Sequence, residues 1–171
     1  EDDFSSAELN RAWTFVRNPR PEAYTLIDRG LKLTAAGEKL DSPNPTALLL
    51  RQQEFSMFAE ASFEINSLPE GGKIGVTAYY NTDYHYAAYI TQKEGNIQVA
   101  LGKSVHDIRL EEGLQNLPEI QHIFFRIQAN QKNYTFYYRL DDEWLYLGEG
   151  ASAALCTEGT RTMTFTGTFL G

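Results

Sequence analysis

Residues 122–140 read His122-Ile123-Phe124-Phe125-Arg126-Ile127-Gln128-Ala129-Asn130-Gln131-Lys132-Asn133-Tyr134-Thr135-Phe136-Tyr137-Tyr138-Arg139-Leu140. Ile123, Phe125, Ile127 and Ala129 form one apolar face, and His122, Phe124, Arg126 and Gln128 form the other. A period of two over eight residues is the signature of a half-buried strand, whose successive side chains point to opposite faces. Asn130-Gln131-Lys132-Asn133 is a polar turn, after which Tyr134, Phe136, Tyr138 and Leu140 carry the apolar face back. The stretch therefore predicts a long antiparallel hairpin.

The same alternation recurs outward in both directions. From Phe55 to Ile65 the odd positions are Phe55, Met57, Ala59, Ala61, Phe63 and Ile65. Ser56, Glu60, Ser62 and Glu64 hold the even ones, and Phe58 alone breaks the pattern. Ile74, Val76, Ala78 and Tyr80 alternate likewise, as do Ile97, Val99 and Leu101. Turn signals punctuate these runs: Asn18-Pro19, Asp28-Arg29-Gly30, Ser42-Pro43-Asn44-Pro45, Pro69-Glu70-Gly71-Gly72, Glu94-Gly95-Asn96 and Asp141-Asp142-Glu143. Helical periodicity is nearly absent, since Thr34 to Leu40 contains Gly37 and Ala151 to Cys156 is too short to stand alone as a helix. No repeat, low-complexity tract or linker interrupts the chain. The expectation is a single all-β domain over residues 1–171, a two-sheet antiparallel β-sandwich of jelly-roll type, with an eight-stranded closed barrel as the alternative.

Charge and composition narrow the partners. Lysine and arginine total 15 against 23 acids, a formal charge of −8 over 171 residues, so nucleic acid, which needs a basic footprint, is not expected. A membrane is not expected either, because no apolar run approaches the ~20 residues of a spanning helix. A neutral sugar or polyol suits the charge. The lone cysteine, Cys156, allows no internal disulfide and reads as a buried, inert thiol. The compartment stays open between a bacterial cytoplasm and a periplasmic or secreted setting. The chain opens on Glu1 with neither Met nor a signal segment, which reads as a piece of something longer.

A search for chemistry finds no enzyme signature. Glycoside hydrolysis needs two carboxylates facing each other across the sugar, and the Glu-x-Asp-x-x-Glu strand of sandwich glucanases does not occur. Glu60, Ser62 and Glu64 alternate but lack the third acid, and they read as a solvated strand face. His85, His106 and His122 have no zinc spacing. No Gly-x-Ser-x-Gly elbow, Walker loop or dinucleotide fingerprint is present. No cofactor is expected. Asp2 and Asp3 are weak candidates for a structural calcium, against the plainer reading of a frayed acidic terminus.

Aromatic residues are the remaining lead. Tyr79, Tyr80, Tyr84, Tyr86 and Tyr89 crowd one segment. Binding sites stack such rings on sugar C–H faces and hold the hydroxyls with polar side chains. Tyr79, Tyr80 and Tyr86, with Arg51, Gln52 and Gln53 supplying polar contacts, form a candidate sugar platform. The structural reading, in which these rings pack across strands or under a neighbouring domain, comes first, because tyrosine is favoured in strands anyway.

In its order of segments the chain resembles the carboxy-terminal β-sandwich domain, concanavalin A-like, of family 43 glycoside hydrolases, the β-xylosidase and α-arabinofuranosidase group. Asp2-Asp3-Phe4 leads to Leu9, Trp13 and Arg17-Asn18-Pro19. Gly30-Leu31-Lys32-Leu33 precedes Leu50-Arg51-Gln52-Gln53. Ile74-Gly75-Val76-Thr77-Ala78-Tyr79-Tyr80-Asn81 resembles the family's Ala-Gly-Leu-x-x-Tyr-Tyr-Asn strand, and Phe165-Thr166-Gly167-Thr168-Phe169-Leu170-Gly171 its Phe-Thr-Gly-x-Phe-Val-Gly ending.

The resemblance implies that a catalytic β-propeller on the same chain carries the acid and base, and that this domain packs on it without being catalytic itself. It also implies that Phe165, beside Thr164, walls the end of the propeller's sugar pocket. The competing reading of Phe165 is an inward strand residue. Two departures stand out. The family continues into a further strand past the position of Gly171, and Gly159-Thr160-Arg161-Thr162 replaces a Gly-Gly run. From another class of function, the alternative is an autonomous carbohydrate-binding module for xylan- or arabinan-type polysaccharide, using the tyrosine platform.

Overall fold

The computed structural model describes residues 1–161 and 166–171. It divides into two compact units, Glu1–Arg51 and Gln52–Gly171. In the first unit β1 (Thr14–Phe15) pairs antiparallel with β4 (Leu48–Arg51), and β2 (Tyr24–Ile27) forms a hairpin with β3 (Gly30–Leu33). Arg29 turns that hairpin at φ 54, in the left-handed region. Tyr24 joins these pieces, since its hydroxyl donates to Ala47 O at 3.1 Å and accepts the Ala47 N–H at 3.0 Å. Its ring meets Phe15 edge-on at 4.8 Å.

The second unit is a two-sheet antiparallel sandwich. One sheet holds β6 (Lys73–Tyr79), β7 (Tyr84–Lys93), β8 (Asn96–Val105) and β9 (Ile108–Asn116), with the short β13 (Phe169–Leu170) outside β6. The other sheet runs in the order β12 (Leu145–Ala151), β11 (Asn133–Arg139), β10 (His122–Ala129), β5 (Met57–Glu64). Two facing sheets, not a closed barrel, enclose the core.

The predicted hairpin is β10–β11, with Ile123, Phe125, Ile127, Tyr134, Phe136 and Tyr138 all inward and buried. The Asn130 carboxamide oxygen accepts the N–H groups of Lys132 and Asn133 and closes the turn. Facing these residues are Val76, Ala78, Tyr86, Ala88, Ile90, Val99 and Leu101 from the other sheet. Met57, Ala59, Ala61 and Phe63 line the core edge from β5, and Phe58 is the outward break that the alternation implies.

Two glycines show why the sheet needs them. Gly113 sits at φ 67, where β9 carries an extra residue opposite the Val99–Leu101 step of β8. Gly75 lies so close to its partner strand that a Cβ would stand 1.9 Å from Ala88 O. The helical content of the described residues is three short 3-10 turns, Pro21–Ala23, Ser152–Leu155 and Thr157–Gly159. Among the described residues no helix is long and apolar enough to cross a membrane.

Candidate functional site

At the end of the sandwich that carries the β6–β7 turn, polar side chains gather. Asn81 builds this turn, its carboxamide oxygen accepting the N–H groups of Asp83 (2.9 Å) and Tyr84 (3.0 Å). Tyr80 and Tyr84 flank it with buried rings and hydroxyls that reach the surface. The Tyr80 hydroxyl lies 3.2 Å from Thr157 Oγ1. The Tyr84 hydroxyl accepts the Arg161 N–H at 3.1 Å, and its ring stacks on His106 at 6.3 Å. Arg161 Nη1 in turn lies 2.6 Å from His106 Nε2. Beyond the neighbouring segment, Thr168 Oγ1 donates to Leu155 O at 2.8 Å, and Phe169–Leu170 pairs with β6. Arg161 and Thr168 thus anchor the chain before and after residues 162–165. Thr164 and Phe165, singled out as pocket-lining, lie outside the described residues.

The tyrosine platform does not have the form the sequence suggests. Tyr79, Tyr80 and Tyr86 are only 3–6% exposed, and Tyr84 and Tyr89 are equally buried. Strand alternation spends Tyr80 and Tyr86 in the core between the sheets, while Tyr79 stacks on His85 at 5.8 Å on the opposite face. Rings so covered offer no face to a sugar. Arg51 ends β4 in the first unit, exposed, and Gln53 is exposed in the second. Gln52 accepts the Tyr134 hydroxyl at 2.7 Å and is a packing partner of the core edge.

Comparison with known proteins places this architecture. The family model for the beta xylosidase C-terminal Concanavalin A-like domain matches residues 1–171. The chain belongs to that family. A non-reducing end alpha-L-arabinofuranosidase of Bacteroides ovatus is 26% identical over 99% of this chain, which covers 32% of that protein. A solved GH43 protein, BlXynB of Bacillus licheniformis, superposes with a TM-score of 0.92 at 23% identity. The match covers 99% of this chain and 34% of that one. The xylan beta-1,4-xylosidase of Bacillus halodurans gives 0.89 at 20% identity, with coverages of 99% and 34%. The chain spans about a third of the length of these relatives.

The remaining candidates in this Concanavalin A-like domain are held by local contacts. Asp2 accepts the Phe4 N–H at 2.9 Å and the Trp13 Nε1–H at 2.7 Å, and Phe4 stacks on Trp13 at 5.7 Å. Hydrogen bonds from Ser5, hydroxyl first and backbone N–H second, hold Asp3 below the ordinary carboxylate range. The two acids serve the terminal fold. Among the described residues no group of three or more His, Cys, Asp or Glu is arranged to hold a metal ion. Each histidine rests against an aromatic ring, His122 meeting Phe124 edge-on at 4.4 Å. Cys156 is half-buried, not buried, with Sγ 3.1 Å from Ala153 O.

Two of the acids face cations on the sheets. Glu60 pairs with Arg126, and Lys73 Nζ donates to both Glu111 and the Tyr89 hydroxyl at 2.8 Å. The Tyr89 hydroxyl itself donates to Glu111. Hydrogen bonds from Lys73, then Tyr89, hold Glu111 below the ordinary range, whereas burial above all, then Glu111, drives Tyr89 far above its own. An acid so stabilised as an anion is a poor proton donor.

The buried phenols make a testable pH dependence. Tyr86, whose hydroxyl donates to Ala151 O, is pushed up to about 12 from 10.0, chiefly by burial and then by Tyr134. Tyr134 and Tyr138 are raised by burial too. A raised folded-state value means that the unfolded chain ionises first. Stability is therefore intact below pH 10 and falls as pH climbs from 10 toward 12. Melting followed by circular dichroism should show this fall, with a shallower slope in Tyr86→Phe; a flat profile across that window counts against the assignment.

Proposed function

We propose that this chain is the non-catalytic C-terminal accessory domain of a family 43 glycoside hydrolase of β-xylosidase or α-L-arabinofuranosidase type. In this reading it packs on the enzyme's catalytic β-propeller and shapes the sugar pocket. One observation carries the reading: the C-terminal domain model matches all 171 residues, while the relatives are about three times as long. The acid chemistry agrees, because hydrogen bonds from Lys73 and Tyr89 hold Glu111 as an anion. Exposed apolar residues on one face of the edge strand β9, Ile108 and Leu110, support packing against another domain.

Phe165, with Thr164 beside it, is the residue we assign to the pocket wall. The anchoring of Arg161 on Tyr84 and His106, and of Thr168 on Leu155, would steady that stretch against a neighbouring domain. The test is Phe165→Ala in the longer enzyme. Activity on short xylo-oligosaccharides should fall with kcat/KM, while the 171-residue chain alone should release no sugar. Unchanged kinetics would remove Phe165 from the pocket. Hydrolysis by the chain alone would overturn the accessory reading.

A further inference from the structure

Two exposed rings, Phe58 and Tyr146, lie away from the tyrosine segment, on the outer face of the four-stranded sheet. Backbone register sets them in rows across the strands. Glu60, Arg126, Tyr137 and Tyr146 form one row over all four strands, with Phe58 opposite Gln128 on one side and Phe124 opposite Arg139 on the other. At ~4.8 Å between strands the row is about 14 Å long. Phe58 is 66% exposed and Tyr146 is 56% exposed. A solvated sheet face is ordinarily polar, so these rings stand out.

The face is also held rigid. Trp144 lies over the Arg126 guanidinium at 4.2 Å, and Arg139 stacks on Phe124 at 4.0 Å with Trp144 at 5.0 Å. Tyr137 meets Tyr146 edge-on at 6.0 Å. Arg126 is neutralised by Glu60. Arg139 has no ion-pair partner among the described residues. The guanidinium makes one hydrogen bond, from Nη1 to Asp141 O at 3.4 Å, and its buried Nε makes none. Preorganised rings beside a guanidinium with no ion-pair partner among the described residues are what a ligand with apolar faces and many oxygens requires.

We propose that this face binds a glycan chain, stacking sugar rings on Tyr146, Trp144 and Phe58 and offering Arg139 to a sugar oxygen. A nucleic acid would meet the acids Glu60, Glu64 and Glu149 on the same strands of a chain of net charge −8. A protein interface core is depleted in charge, whereas an ion pair takes up the β10 and β5 positions of this row. A sugar chain tolerates both features. The site is separate from the pocket-wall role of Phe165 and stands or falls without it.

Isothermal titration of the 171-residue chain with xylohexaose, a glucuronate-substituted xylo-oligosaccharide and a dextran fragment tests the idea, because no catalytic pocket is present to bind them. Saturable binding of a xylo-oligosaccharide should weaken about tenfold in Tyr146→Ala and in Trp144→Ala, the loss expected of one stacked ring. Melting curves verify the fold, and Tyr146, being exposed, is the safer variant. A preference for the uronate that disappears in Arg139→Gln identifies an acidic glycan; its absence identifies a neutral one. Flat titrations at millimolar sugar, or binding that both variants retain, would overturn the proposal. So would a concentration-dependent dimer abolished by Tyr146→Ala, which would assign the face to a protein.

Discussion

Replacing Phe125 by alanine is expected to cost the sandwich about 3–5 kcal/mol, the range for emptying a fully buried aromatic site. Phe125 is 0% exposed in the middle of β10, with Phe63 of β5 edge-on at 6.2 Å and the opposite sheet above it. The ring is held from both strand neighbours, since Phe125 pairs with Ala61 on one side and Tyr138 on the other. A ladder on each side prevents the backbone from closing over the void. Against a total stability of about 5–15 kcal/mol for a domain, such a loss approaches unfolding at growth temperature. Urea denaturation of wild type and Phe125→Ala measures it directly. Phe58→Ala, one strand over and pointing out, should stay within about 0.5 kcal/mol. Similar costs for the two would mean that the inner face of β5 and β10 has been misidentified.

Gly75→Ala should be nearly as damaging by the opposite mechanism. A Cβ at this position would lie 1.9 Å from Ala88 O and 2.6 Å from Tyr89 Cα, so it meets backbone. No rotamer change can relieve that overlap. Gly75 pairs with Tyr89 between the Ile74–Ile90 and Val76–Ala88 pairs, so relief requires β6 and β7 to part. Parting breaks ladder hydrogen bonds worth about 1 kcal/mol each and loosens a packed core, which together give about 3 kcal/mol or more. Gly102→Ala is the internal control, since its Cβ would first meet the Tyr89 ring at 3.0 Å, a side chain that can shift. Denaturation midpoints should fall in the order wild type, Gly102→Ala, Gly75→Ala. The reverse order of the two variants would refute the close-approach argument. The weaker β6–β7 pair would also slacken Tyr84, to which Arg161 is tied.

Strand positions and facing were legible in the sequence wherever one side of a strand is buried, because a period of two has no other cheap explanation. Residues 122–140 and 57–64 show this, down to Phe58 as the single outward ring of β5. The turns at Asn130 and Glu94-Gly95 were legible for a local reason: an Asx carboxamide or a left-handed φ closes a chain reversal within four residues. The Ile74–Asn81 motif was legible as a resemblance, and the structure supplies its causes. Gly75 permits close approach, Thr77 Oγ1 donates to Tyr86 O at 2.8 Å, and Asn81 caps the turn.

Sugar-binding rings were sought where tyrosines cluster along the chain, yet clustering along a strand puts half of them on the inner face. Tyr80 and Tyr86 went to the core for that reason. The exposed aromatic row was hidden because its members lie on four strands separated by tens of residues. Only the pairing of β5 with β10, and of β11 with β12, brings Glu60, Arg126, Tyr137 and Tyr146 side by side. Local sequence therefore determined which residues form strands, which face each shows and where the chain reverses, since those follow from alternation and short-range hydrogen bonding. Tertiary structure alone decided which strands are neighbours, and with it which surface carries rings and a guanidinium stacked on them. Register between distant segments is set by burying both inner faces at once, a condition no single stretch of sequence contains.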